Sequence, residues 1–420
     1  MATGSSMQTS PAQEAGRPQP QTTVEASGGP FIRHSQAGYA PIYNVTGSAF
    51  GGILTQPLVA RPGYFRSLRV THSLTTGGAI TSGVLTPDAP FNLNSLIQFK
   101  DAFGTPLIVA PGYEASQLIP TFSGGFGVLG QTNVGANLPS NAAVSATTGA
   151  GQFSYALPLE FAKGYGVLSA ANASLLPTLQ FNFNSATAVY GGSATGTFPT
   201  IGTQLDTSFY WLPEGVAVEP PGLGTTRQWI LQQANPLVSA SASSRIQFPR
   251  LGGYLDTVVV ELRNNAGSNA RDGGYFPGGG GAATVASSTS RLQLYVDGVP
   301  MIDATMGEWY DNMAIEFGLT PAQVGFSSAA AGTYPASVTP TYANQNLAGV
   351  LAFSRKSSLN QVNLGLLDTG EAYLSTNPGT LLELNFAPAG AGTAGTAATA
   401  SVLVGQIVPT GAVIQGLPEV

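Results

Sequence analysis

Apolar and polar residues alternate in short runs along most of this chain. Val258, Val260 and Leu262 interleave with Thr257, Val259 and Glu261, and Leu292, Leu294 and Val296 interleave with Arg291, Gln293 and Tyr295. A period of two marks a strand with one face on a core. The runs are punctuated by 54 glycines and 30 prolines, a fifth of the 420 residues. Many short strands with turn signals between them predict a β-sandwich or jelly roll. One amphipathic helix interrupts. Met306, Trp309, Tyr310, Met313 and Phe317 follow helical spacing, Thr305 and Glu308 form a capping box ahead of them, and Gly318 and Pro321 end it. A single helix of this kind is a plug or flank on a β-rich domain.

The pattern repeats. Gly63–Val70 reads like Gly253–Val260. Asp101-Ala102-Phe103-Gly104-Thr105-Pro106-Leu107-Ile108 reads like Asp297-Gly298-Val299-Pro300-Met301-Ile302, each a strand, a tight turn and a second strand. Leu179-Gln180-Phe181-Asn182-Phe183 reads like Leu382-Glu383-Leu384-Asn385-Phe386. Three matches in one order at nearly one spacing predict two tandem copies of one unit. One detail runs against the second match: at the spacing of the aspartates, Ile97 and Phe99 fall out of phase with Leu292 and Leu294, which requires a bulge or a shifted turn. Length agrees with two domains. The expected division is a flexible arm over residues 1–38, a first unit over 39–225, a second over 226–410 and a tail over 411–420. Segments 185–205, 265–290, 327–345 and 388–400, rich in Gly, Ala, Ser and Thr, read as long loops. Asn264–Gly281 reads as an exposed one at the end of a barrel.

Composition narrows the function. Apolar residues are 43% and charged residues only 9%, against roughly 25% charged in an average soluble protein. A free monomer keeps a charged surface for solubility, so a surface this poor in charge is expected to meet other protein. Net charge is −6 with no basic run, which argues against nucleic acid as a direct partner. Cysteine is absent, excluding disulfides and thiolate chemistry. The charge-free stretch Leu384–Pro418 is broken by glycine and proline and reads as loop plus a strand over Val402–Val408, not as a membrane anchor.

Candidate chemistry is sparse. His34 lies in the expected arm, and His72 shares a strand face with Leu68 and Val70, so His72 reads as a satisfied core or interface histidine. No nucleophile elbow accompanies it. Glu308 with Asp311, and Asp368 with Glu371, are the carboxylate pairs available for glycoside chemistry; capping and a turn explain them. Gly164–Gly166 and Gly278–Gly281 are too loose for a phosphate cradle, and Asp272 is too isolated for calcium. Trp211, Trp229 and Trp309 could line a glycan cleft but read as core or seam. No catalytic, cofactor or metal residue is assigned, and no enzyme activity is expected.

Tyr64-Phe65-Arg66-Ser67-Leu68-Arg69-Val70, Leu96-Ile97-Gln98-Phe99-Lys100-Asp101 with its Gly-Thr-Pro turn, and Leu157-Pro158-Leu159-Glu160-Phe161 followed by Leu175–Phe183 resemble the first barrel of the double jelly-roll major capsid proteins of tectivirus-like phages, the fold lineage of the adenovirus hexon. Arg250–Glu261 and Leu292–Trp309 resemble the second. Val350-Leu351-Ala352-Phe353 is the nearest counterpart there of the Leu-Pro-Leu strand. The resemblance implies an all-β chain of two eight-stranded jelly rolls with long loops and short flanking helices. It implies a homotrimer forming a pseudo-hexameric capsomer of an icosahedral virion shell, made in the host cytoplasm. Partners would be neighbouring capsomers, vertex and minor capsid proteins, and an internal membrane touched through the arm. The alternatives are a minor or spike virion protein, or a secreted glycan-binding β-sandwich protein.

Overall fold

A computed structural model describes residues 29–75, 78–86, 88–123, 144–161, 164–169, 176–216, 218–221, 223–236, 244–248, 253–264, 291–305, 308, 317, 350–354, 374–375, 381–387 and 398–409. Eight strands build a first unit: β1 (Gln36–Ser48), β2 (Ile53–Pro57), β3 (Tyr64–Thr75), β4 (Asn94–Lys100), β5 (Pro106–Ala110), β6 (Gly151–Pro158), β7 (Thr178–Phe183) and β8 (Thr200–Trp211). Eight more build a second: β9 (Thr225–Pro236), β10 (Ser244–Gln247), β11 (Tyr254–Asn264), β12 (Arg291–Val296), β13 (Val299–Thr305), β14 (Val350–Ser354), β15 (Leu382–Ala387) and β16 (Ala398–Pro409).

The two units have one topology. In the first, β1-β8-β3-β6 form one sheet and β2-β7-β4-β5 run in order in the other. In the second, the same positions recur as β9-β16-β11-β14 and β10-β15-β12-β13. Every one of these pairs is antiparallel. This is the jelly roll expected from the sequence, twice. The two rolls meet edge to edge. β5 pairs in parallel with β9, Ile108 opposite Trp229 and Val109 opposite Ile230, so β2-β7-β4-β5 continues into β9-β16-β11-β14 as one sheet.

Local chemistry explains the matching segments. A Cβ on Gly63 would sit 2.1 Å from the Tyr210 carbonyl oxygen, and one on Gly253 would sit 2.3 Å from that of Ile407. Both glycines therefore let β3 and β11 start hard against their neighbours. Each strand then bulges at the same place. Arg66 is skipped between Phe65–Phe209 and Ser67–Ser208, and Asp256 between Leu255–Gln406 and Thr257–Gly405. Two short pairings complete the likeness: Leu168-Ser169 lies along Phe65-Tyr64, and Leu374-Ser375 along Leu255-Tyr254.

The out-of-phase hairpin is resolved by its bulge. Phe99 faces Ile108 and Leu294 faces Ile302, with Leu107 and Met301 skipped immediately after. Phe99 thus corresponds to Leu294, and both are fully buried. The turns absorb the difference. In the first, the Asp101 carboxylate accepts the Phe103 and Thr105 amides at 2.9 and 2.8 Å. In the second, the Asp297 carboxylate reaches across to the Leu381 amide at 2.7 Å.

Some expectations are corrected. Alternation predicts a half-buried β11, but Thr257, Val258, Val259, Val260 and Glu261 are all buried, so its sheet is covered on both faces there. The arm expected over 1–38 is shorter on its C-terminal side: α1 (Gly29–His34) and the start of β1 lie within it, and Phe31 is buried edge-on against Tyr64 and Tyr210. Segment 185–205 is not a loop throughout, since it holds α2 (Ala186–Tyr190) and the start of β8. Val402–Val408 lies within β16 as expected, and Val350–Phe353 lies in β14, the counterpart of β6. Of the helix expected over 306–317, only Glu308 and Phe317 are described; Phe317 packs edge-on against Phe122 at 4.9 Å. The loop over Asn264–Gly281 lies outside the described residues beyond Asn264.

Candidate functional site

Among the described residues, those singled out for chemistry are not brought together. His72 is fully buried in β3. Asn94 Nδ2 donates to its Nε2 at 3.1 Å, which leaves Nδ1 to carry the proton and donate to Thr203 Oγ1 at 3.1 Å; Tyr155 Oη also lies 3.1 Å from Nε2. Phe153, Tyr155, Phe181 and Phe183 surround the ring. Burial lowers its pKa to about 3, so at neutral pH it is an uncharged structural link between β3, β8 and β6. Glu308 is exposed, while Asp272, Asp311, Asp368 and Glu371 lie outside the described residues. Among the described residues no three His, Asp or Glu gather as metal ligands. Gly164 is used structurally: its amide donates to Glu160 Oε1 at 2.7 Å. Trp229 is fully buried at the seam between the rolls, as expected from the sequence, whereas Trp211, expected in core or seam, is exposed at the end of β8.

Two ion pairs, one partly and one fully buried, were not legible beforehand, and both grow from the matched bulges. In the first roll Arg66 Nε donates to Glu160 Oε2 at 2.7 Å. Tyr210 Oη donates to Glu160 Oε1 at 2.8 Å, and the guanidinium lies 4.2 Å from the Tyr210 ring centre. The Arg66 carbonyl accepts the amides of both Leu159 and Glu160, which turns the chain after β6 and aims the carboxylate inward. Burial and the Glu160 charge raise the Tyr210 pKa, keeping its hydroxyl protonated as a donor. In the second roll the bulge residue is the acid. Asp256 Oδ2 lies 2.9 Å from Arg227 Nε, at 0% and 1% side-chain exposure. Arg227 Nη1 donates to the Ser123 carbonyl at 3.1 Å, and the guanidinium lies against Phe161 and Trp229. Ser123 and Phe161 belong to the first roll, so this cation ties the rolls together.

Among the described residues several large apolar side chains stand on the surface. Tyr39, Ile53, Val59, Val84, Phe103, Val299, Met301 and Leu381 are all exposed. Val299, Met301 and Leu381 cluster where β13 leaves its turn, because the Leu381 carbonyl accepts the Asp297 amide at 2.8 Å. Tyr39 stands on β1, at the edge of its sheet. A charge-poor apolar edge of this kind suits contact with protein. No helix among the described residues is long and apolar enough to cross a membrane.

No protein-family model matches the chain, and no curated protein matches it by sequence. Solved structures do match in shape. The crystal structure of the STIV MCP aligns with TM-score 0.54 at 13% identity, covering 89% of this chain and 97% of that one. A chain from the atomic structure of Sulfolobus Turreted Icosahedral Virus aligns with TM-score 0.53 at 12% identity, over 89% and 91%. PBCV-1 VP54, fitted into a reconstruction of the virophage Sputnik, aligns with TM-score 0.54 at 14% identity, over 89% and 93%. The likeness is one of fold, and it runs through both jelly rolls.

Proposed function

We propose that this chain is the major capsid protein of an icosahedral virus, a structural subunit whose work is assembly rather than catalysis. The observation that carries the reading is the duplication itself: two rolls of one topology, fused edge to edge, in the shape shared with the virion proteins above. Three chains would then present six nearly equal barrels, a pseudo-hexameric capsomer able to tile a shell. The rolls built by β1–β8 and by β9–β16 are its domains. Vertex and minor capsid proteins are further partners. Low charge supports the reading, because apolar flanks can be buried against copies without desolvating many ions.

Light scattering on the purified protein tests this. The mass expected is three times that of the 42.8 kDa chain. A stable monomer at micromolar concentration overturns the reading. Copy number in purified virions separates a major coat subunit, present in great excess over every other shell protein, from a spike or minor protein.

A further inference from the structure

We infer that the outer edge of β13 in one copy pairs in parallel with the outer edge of β1 in the next, repeating between chains the seam that β5 and β9 make within one. The inference rests on the trimer reading above and adds the surface and register of its contacts.

The correspondence follows from the registers. Ser67 and Thr257, one residue past the matched bulges, face Ser208 and Gly405. Ser208 faces Tyr39 and Gly405 faces Trp229. Tyr39 is therefore the counterpart of Trp229, at the same spacing that separates Gly63 from Gly253. On the other side, the bulges after Phe99 and Leu294 make Pro106-Leu107-Ile108-Val109 the counterpart of Pro300-Met301-Ile302-Asp303.

Exposure shows what each edge lacks. Trp229 is 0% exposed because the first roll covers it, whereas Tyr39 is 63% exposed. Leu107 is 1% exposed and its counterpart Met301 is 45% exposed. Among the described residues β1 has a strand neighbour only in β8, and β13 only in β12. Two edges without a second strand neighbour among the described residues, each the counterpart of an edge that is already joined to the other kind, are complementary by construction. Since Trp229 faces Ile108 and Ile230 faces Val109, the register between chains sets Tyr39 opposite Ile302 and Ala40 opposite Asp303. Such a contact is head-to-tail, so it closes into a ring when the rotation allows, and closure removes the exposed edges that otherwise invite runaway pairing.

The chain contains no cysteine, so introduced pairs report cleanly. Neighbouring strands lie about 4.8 Å apart, within the roughly 4.4–6.8 Å span between Cα atoms that a disulfide bridges. The native assembly carrying Tyr39→Cys and Ile302→Cys is oxidised mildly and run on non-reducing gels, beside an Ala40→Cys/Asp303→Cys variant that perturbs the apolar contact less. Either pair is expected to convert most of the protein to a covalent three-chain species. An Asn44→Cys/Ile302→Cys control, about 16 Å out of register, is expected to yield at least tenfold less. Mixing the two single-cysteine chains should give a two-chain product that neither gives from a β1–β13 contact alone. An assembly of three-chain mass in which neither registered pair cross-links overturns the edge pairing and leaves the trimer standing. A monomer with no cross-link overturns both. Cross-linked chains that run past three subunits uphold the pairing and overturn the trimer.

Discussion

The seam between the rolls should fail when Arg227 is removed. Arg227→Met keeps the length of the side chain but takes away the cation 2.9 Å from the buried Asp256 carboxylate, together with the donor to the Ser123 carbonyl across the seam. Removing one member of a buried ion pair costs about 3–5 kcal/mol, because the remaining charge stays out of water. At roughly 2–4 °C per kcal/mol for a domain of this size, the melting temperature should fall by about 6–20 °C. The same reasoning makes Arg227→Met/Asp256→Leu far milder than the single change, since two apolar side chains leave no charge behind. Urea melts of the parent, both single variants and the double, at one protein concentration, complete a double-mutant cycle. Intrinsic tryptophan fluorescence reports on Trp229 beside the pair. An Arg227→Met variant within about 1 kcal/mol of the parent, or a double variant less stable than Arg227→Met, would refute the argument.

Other consequences follow from the same contacts. His72 stays neutral in the folded chain down to about pH 3, while in the unfolded chain it takes a proton below about pH 6.5. Its contribution is thus fully present above that value and falls by about 1.4 kcal/mol per pH unit as acid is added; a His72→Gln variant should show a shallower loss of stability between pH 6 and 4, and an unchanged slope would exclude the assignment. Gly63→Ala and Gly253→Ala, which drive a Cβ into a backbone carbonyl, should both destabilise markedly in thermal melts. Gly47→Ala, at φ +83 with open space around it, should cost only about 1–2 kcal/mol. Trp229→Ala should cost about 3–5 kcal/mol in the isolated chain, whereas Tyr39→Ala should leave chain stability nearly unchanged and weaken association, as read by sedimentation.

Alternation, turn chemistry and internal repetition carried the fold in the sequence because they are local. Leu179, Phe181 and Phe183 alternate inward in β7 as written, and Gly63 and Gly253 mark matched strand starts. The second hairpin misled by one position because its turn is one residue shorter than that of the first, while the bulges at Leu107 and Met301 match, and only the pairing shows where each turn begins. The alternation of β11 was right about the strand and wrong about burial, since what covers its second face comes from elsewhere in the chain. Arg227 and Asp256 stand on different strands in ordinary strand text, and only the register places them together at the seam. The Leu-Ser pairs at 168 and 374 were readable as a fourth repeat but too short to stand out. Tyr39 could be named as the counterpart of Trp229 only once both registers were known.

One chain carries two equivalent rolls, and in the proposed capsomer three chains close around an axis. Electron cryomicroscopy of the purified assembly, to a resolution that separates single barrels, tests this most directly. The expected map is a threefold ring of six barrel-shaped lobes, each seam between chains matching the seam within a chain. A two-lobed lone particle, or a ring whose seams between chains use any edge other than those of β1 and β13, would contradict it.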